Sequence, residues 1–148
     1  MKKFLLDLLI CPSCLPEENP LQAAALEVQQ QDIVSGQLVC EACRRSYPIR
    51  RGIGFLTAAP SSNNLAPSKY ETAAVLSSYL WSHYGDLLND PDASNAYQRW
   101  AALLPPKGGL AIDIGAAVGR FSFELGRKSD LVVGVDNSHT FIKAARNL

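Results

Sequence analysis

Two short apolar runs, Leu110–Ile114 and Leu131–Val135, read as buried parallel strands. Gly115 and Gly119 follow the first and permit a tight turn. Phe121 and Leu125 then give the segment towards Lys128 an apolar helical face, and Asp136 ends the second run. Upstream, Val75, Leu76, Tyr79, Leu80 and His83 recur at helical spacing. Ser68-x-x-Glu71 reads as a capping box, so that helix is expected to start there and run to about Tyr84. Asp90-Pro91 reads as the cap and first position of another helix, carrying Tyr97 and Trp100 and stopping before Pro105-Pro106. Ser138 caps a last helix through Phe141, Ile142, Ala144 and Ala145, whose pattern is still running at Leu148. Strand, glycine turn, helix, strand and terminal acid make up the nucleoside-binding half of a doubly wound α/β fold.

The segment before residue 57 has a different character. Ala58–Ser68 is a linker by composition, rich in Ala, Pro, Ser and Asn. The expected organisation is therefore a small domain at 1–57, a linker at 58–68, and 69–148 as helices followed by two strands. At 148 residues with 47% hydrophobic positions, the chain can build a core in one domain or two small ones. Fourteen basic and fourteen acidic residues cancel, so global charge offers no argument for nucleic acid or an anionic membrane. No apolar run approaches the roughly 18 residues of a membrane span. Lys2-Lys3 and the run Phe4–Ile10 mimic a lipoprotein signal ahead of Cys11. Asp7 interrupts that run, it is short, and Ile10 is not small, so a cytoplasmic location is expected.

Four cysteines fall in two pairs, Cys11-Pro12-Ser13-Cys14 and Cys40-Glu41-Ala42-Cys43. Two such knuckles supply four thiolates, which suits tetrahedral zinc, and the 25-residue spacer can hold a hairpin. Disulfides would need an oxidising compartment, and a thioredoxin-like redox motif needs only one pair. With four protein ligands no coordination position is left open, so the metal would be structural. Arg44, Arg45, Arg50 and Arg51 offer an RNA-facing patch; the alternative is a solvated face balanced by Glu17, Glu18, Glu27, Asp32 and Glu41. His83 and His139 show no partner in sequence and receive no catalytic role. Tyr84, Tyr97, Arg99 and Trp100 are either a lid over the glycine turn or amphipathic core.

Gly115, Ala116 and Ala117 keep the turn small enough for a ligand to lie on bare backbone. Asp136, on the neighbouring strand, can accept hydrogen bonds from ribose hydroxyls, while Asp113 adds a second carboxylate. A dinucleotide fingerprint would want glycines where Ala117 and Arg120 stand. The pattern instead resembles the first two motifs of class I S-adenosylmethionine-dependent methyltransferases. The resemblance places Asp113, Gly115, Ala117 and Gly119 on the first motif and Asp136 on the ribose acid of the second. Where this chain has Ala117 that family often has glycine. The resemblance implies a Rossmann-like sheet, S-adenosylmethionine as cofactor, and direct transfer to an RNA, protein or small-molecule acceptor. A βαβ unit without ligand and a nicotinamide-dependent enzyme are the alternatives.

The second knuckle leads into Tyr47-Pro48-Ile49 and then Gly52-Ile53. That arrangement resembles the small zinc-ribbon proteins that activate tRNA and translation-factor methyltransferases, over residues 1–57. A zinc ribbon ahead of a methyltransferase domain is also seen in bacterial ribosomal RNA guanine methyltransferases. The leading expectation is thus a zinc-bearing transferase, represented by its cofactor-motif half and inactive by itself. The rival is a non-catalytic zinc-ribbon module that activates a methyltransferase partner. Self-association through an uncovered sheet edge is expected of the two-stranded α/β part.

Overall fold

The computed structural model describes residues 1–57, 68–105 and 108–148. The expected linker, Ser68 excepted, lies outside the described residues. The chain divides into two compact units, Met1–Asn64 and Leu65–Leu148.

The first unit is an antiparallel sheet in the order β1-β2-β3-β4. A 3-10 turn, Lys3–Leu8, precedes β1 (Leu21–Gln29), β2 (Asp32–Cys40), β3 (Ser46–Arg50) and β4 (Ile53–Gly54). The long cysteine spacer holds the expected hairpin: β1 and β2 pair from Leu21↔Cys40 to Gln29↔Asp32. Its turn has Gln30 at φ 53°. The register slips between Ala25 and Val28, and the bulge turns Leu26 out, 85% exposed. At Gly36, opposite the bulge, a Cβ would sit 2.5 Å from the Ala24 carbonyl oxygen, so the close strand approach needs glycine there. Alternation does the rest: Tyr47 and Ile49 face inward on β3 while Ser46 and Arg50 face water. Leu21, Ile33, Leu38, Tyr47 and Ile49 form the core with Cys11 and Cys40. Ile33, Leu38 and Ile49 are fully buried, each stabilising by roughly 1.5–3 kcal/mol relative to exposure.

The second unit contains α1 (Ala73–Tyr84), α2 (Ala96–Ala102), β5 (Leu110–Ile114), α3 (Arg120–Gly126), β6 (Leu131–Val135) and α4 (His139–Asn147). β5 and β6 pair in parallel, Leu110↔Leu131 through Ile114↔Val135. The strands, the helix between them and the Ser138 cap fall where the sequence pattern placed them. The Ser138 hydroxyl accepts from the Phe141 amide at 3.2 Å.

Three expectations change. Ser68 caps only a 3-10 turn, Lys69–Glu71, and α1 begins at Ala73 with Thr72 as its cap, accepting from the Val75 amide. Glu71 does not close a capping box, because its carboxylate accepts from the Thr140 amide and hydroxyl at 3.1 and 2.6 Å. Asp90 likewise caps a turn, accepting from the Asp92 amide, and α2 starts only at Ala96. Finally, β5 is not buried on both faces. Leu110, Ile112 and Ile114 are 51%, 59% and 84% exposed. Side chains alternate across a strand, and α3 covers only the Ala111–Asp113 side, where the Ser122 hydroxyl donates to Asp113 at 2.6 Å.

An ion cluster anchors the start of α3. Arg120, 2% exposed, lies between Asp86 and Glu124 and also donates from Nε to the His83 carbonyl at 3.1 Å. The Tyr84 hydroxyl donates to the Val118 carbonyl at 2.7 Å. Burial pushes that phenol up to about 12, so it stays a donor. The glycine turn is thereby held to α1 at both the backbone and the side-chain level.

Candidate zinc centre and glycine-loop cavity

The four cysteine sulfurs converge. All four lie within 4.8 Å of one another, with Cys11–Cys43 at 3.6 Å and Cys14–Cys40 at 3.7 Å. Zinc–sulfur bonds of about 2.3 Å in a tetrahedron require sulfurs roughly 3.8 Å apart. The donor set therefore fits zinc in number, type and spacing. Each knuckle is folded by its own backbone: the Cys14 amide donates to the Cys11 carbonyl and the Arg44 amide to the Cys40 carbonyl. Arg44 takes a left-handed φ of 59° to close the second turn. Cys11 and Cys40 are buried, Cys14 half-buried and Cys43 exposed.

A second layer supports Cys11. The Tyr47 hydroxyl lies 3.2 Å from the Cys11 sulfur and 2.8 Å from the Ser13 hydroxyl, and Arg45 Nη1 donates to the same Ser13 oxygen at 3.1 Å. Burial pushes the Cys11 thiol up, but hydrogen bonds from Tyr47, the Ser13 backbone and the neighbouring thiols outweigh it and bring it down to about 6. Cys14 moves up to about 12, chiefly through its contact with Cys43 and then through burial. Four sulfurs this close resist losing all their protons together. Zinc, when bound, would supply the positive charge that holds four thiolates and cross-links the two knuckles. Ser13 and Arg45 were not legible as partners of the cluster; the signal for Tyr47 was its place on the inward face of β3.

The glycine loop of the second unit borders a small cavity of about 260 Å³, walled by Tyr70, Tyr79, Gly115, Ala117, Asp136, Asn137 and Phe141. Gly115, Ala117 and Asp136 thus line one cavity. Gly115 has φ 80°, and a Cβ there would meet nothing within 4 Å. Ala117 sits at φ 46°, a left-handed conformation that glycine adopts without strain. Gly119 serves packing, because at φ 81° its Cβ would stand 2.9 Å from Ala145 Cβ. Asp136 is already engaged: it accepts from the Ala117 amide at 2.9 Å and from the Ser138 amide at 2.8 Å. Asp113 points to Ser122 instead of the cavity wall. The walls are Tyr70, which the sequence had not singled out, and Tyr79 and Phe141, read there only as apolar helix positions, and not Tyr84, Tyr97, Arg99 or Trp100. Those four stay with the helices: Tyr97 stacks on His83 and, with Trp100, packs against Phe121.

The family comparison falls on the first unit. Residues 2–52 match the family model described as Trm112p-like protein. The chain is also similar to one from the solved complex of the Haloferax volcanii Trm112 methyltransferase activator with a candidate methyltransferase. That similarity is 29% in identity, covers 39% of this chain and 93% of the other, and has a TM-score of 0.36. No curated protein matches. The expectation that this chain is itself an S-adenosylmethionine-dependent methyltransferase is overturned. The family model matched over residues 2–52 is that of small activators that are not themselves catalytic, so the non-catalytic zinc-ribbon reading is the better supported. What stands is a mixed α/β protein with a Cys-rich N-terminal region whose four cysteines are positioned to bind zinc. No described helix is long and apolar enough to cross a membrane.

Proposed function

We propose that the first unit is a structural-zinc module that docks on a methyltransferase partner and activates it without contributing catalytic groups. The observation that carries this is the Trm112p-like match over residues 2–52, on a segment whose four cysteine sulfurs lie within 4.8 Å of one another. Cys11, Cys14, Cys40 and Cys43 would hold the zinc, and the need for reduced thiols suits a cytoplasmic setting. Zinc would act through folding: it ties the knuckles at the two ends of the β1–β2 hairpin, so the docking surface exists only in the metal-bound state. The test is reconstitution. The zinc-loaded chain, added to the catalytic subunit of an activator-dependent methyltransferase, should raise methyl transfer to that subunit's acceptor. Cys40→Ser, which removes a ligand, should abolish the rise. No complex with any such subunit, at full zinc occupancy, would sink the proposal.

A second reading concerns the glycine-loop cavity of the Rossmann-like second unit. Gly115, Ala117 and Asp136 line it, and Asp113 and Gly119 support the loop behind it. We propose a site for the nucleoside portion of S-adenosylmethionine or its demethylated product, without a catalytic role. At about 260 Å³ the cavity lies just below the roughly 300–1,000 Å³ of small-molecule sites, and Asp136 spends both oxygens on backbone amides. Binding should therefore be weak. Calorimetry with S-adenosylhomocysteine tests it, and identical heats for the parent and Asp136→Ala would remove the assignment.

A further inference from the structure

Two sulfur–sulfur contacts in the cysteine cluster run across the knuckles. Cys11 meets Cys43 at 3.6 Å and Cys14 meets Cys40 at 3.7 Å. The partners stand 32 and 26 positions apart, and the second pair is nested inside the first. Each contact joins a buried cysteine to a more accessible one. Cys11 and Cys40 are fully buried, Cys43 is exposed and Cys14 is half-buried. The Tyr47 hydroxyl, 3.2 Å from the Cys11 sulfur, covers part of Cys11 as well. An oxidant arriving from water therefore meets Cys43 first, with Cys11 behind it.

We infer that the zinc centre is also a peroxide-sensitive switch, in which oxidation expels the metal and joins the knuckles by Cys11–Cys43 and Cys14–Cys40 disulfides. The inference rests on the structural-zinc reading of the first unit and adds its regulation. The only co-reactant is a hydroperoxide. The Cys43 thiolate attacks hydrogen peroxide and the O–O bond breaks. One oxygen stays on sulfur as a sulfenic acid, and hydroxide leaves. The Cys11 thiolate then attacks that sulfur, the S–S bond forms, and the second oxygen leaves as hydroxide. Cys14 and Cys40 repeat both steps with another peroxide. Four thiolates thus pass four electrons to two peroxides, giving two disulfides and four hydroxides. Disulfide sulfurs carry no thiolate charge, so nothing is left to hold the zinc ion.

The pairing decides what the oxidised chain looks like. A bond within either knuckle closes a loop of four residues and leaves the two knuckles untied. The nested bonds across them close long loops, which restrict the unfolded chain far more. They also replace the metal's tie at the end of the β1–β2 hairpin, where Leu21 pairs with Cys40. The oxidised module therefore stays ordered in its core, loses the metal-bound docking surface, and is restored by a thiol reductant and zinc.

The experiment treats the full zinc-loaded chain with hydrogen peroxide while a chromophoric chelator reports released metal. Zinc should be released in full, with two peroxides consumed per ion, and reload after reduction. Cleavage at Glu17, Glu27 and Glu41 places Cys11 and Cys14 on one peptide, Cys40 on a second and Cys43 on a third. Mass spectrometry should find all three joined, and at a limiting dose of peroxide the Cys11–Cys43 link first. Cys43→His keeps a zinc donor and removes the exposed nucleophile, so peroxide should release its zinc severalfold more slowly. Zinc content of the purified variant shows that it is loaded, and the mapping on the parent decides by itself if it is not. Zinc retained under peroxide, bonds within the knuckles, or sulfinic and sulfonic acids in place of disulfides would overturn the inference and leave the structural-zinc reading intact. A loaded Cys43→His variant as sensitive as the parent would overturn it too. A chain that cannot take up zinc at all would remove that reading, and this inference with it.

Discussion

Tyr47 is where the zinc module's core and its metal centre meet. Its ring is buried with Ile49 and Leu38, while its hydroxyl touches both Cys11 and Ser13. Partners outside the ligand set commonly set affinity by 10–100-fold. Tyr47→Phe keeps the packing and removes the hydroxyl, so the zinc unit should stay folded at saturating metal and bind zinc about tenfold or more weakly. Competition against a chromophoric chelator measures this, and an unchanged constant would mean that the contact is incidental. In the second unit, Arg120 has the opposite character, a charge whose value depends on its partners. It is 3% exposed in its side chain, against 11% for Asp86 and 7% for Glu124. Arg120→Met strands two buried carboxylates and should cost about 3–5 kcal/mol in chemical denaturation. Adding Asp86→Asn and Glu124→Gln should restore most of that. If the triple variant is no better than the single one, the cost is packing and not charge.

Elements whose boundaries are set locally were legible in the sequence. The two Cys-x-x-Cys knuckles, the glycine turn and the Ser138 cap of α4 are each fixed by residues within a few positions. Ser138 shows how much such a cap can carry, because it is 2% exposed and also donates to the Tyr70 carbonyl at 3.2 Å. Ser138→Ala should therefore cost about 1–2 kcal/mol, at the upper end for a cap, and thermal unfolding of the second unit would show it as a lowered midpoint. A shift no larger than that of Thr72→Ala, an exposed cap, would show that the Tyr70 bond adds nothing. The start of α1 was not legible, because Ser68-x-x-Glu71 satisfies a local rule while Glu71 is claimed by Thr140, 69 residues on. Ala117 was read as a small residue near a ligand, at a place where the resembled family often has glycine. Its left-handed φ of 46° depends on how the whole loop closes.

On the scale of the molecule, the two units differ in how completely they bury their apolar residues. The sheet of the zinc unit closes over Ile33, Leu38 and Ile49. The parallel pair of the second unit leaves a row of Leu110, Ile112 and Ile114 bare, with Val135 beside Ile114 at 44% exposure. The apolar runs in the sequence correctly announced strands, yet burial is a property of what packs on them, and period alone cannot supply that. α3 lies on one face of the pair, and no second layer covers the other among the described residues. Contiguous exposed apolar rows and short open sheets both favour association. The expected outcome is reversible, concentration-dependent self-association that strengthens with sulfate and survives zinc chelation, since no ligand cysteine lies in this unit. Light scattering coupled to size exclusion measures it. Ile112→Thr/Ile114→Lys, which leaves the covered face untouched, should shift the chain to a monomer without lowering its helical signal. A parent protein that is already monomeric at every concentration would mean that these side chains are shielded by something other than a second copy.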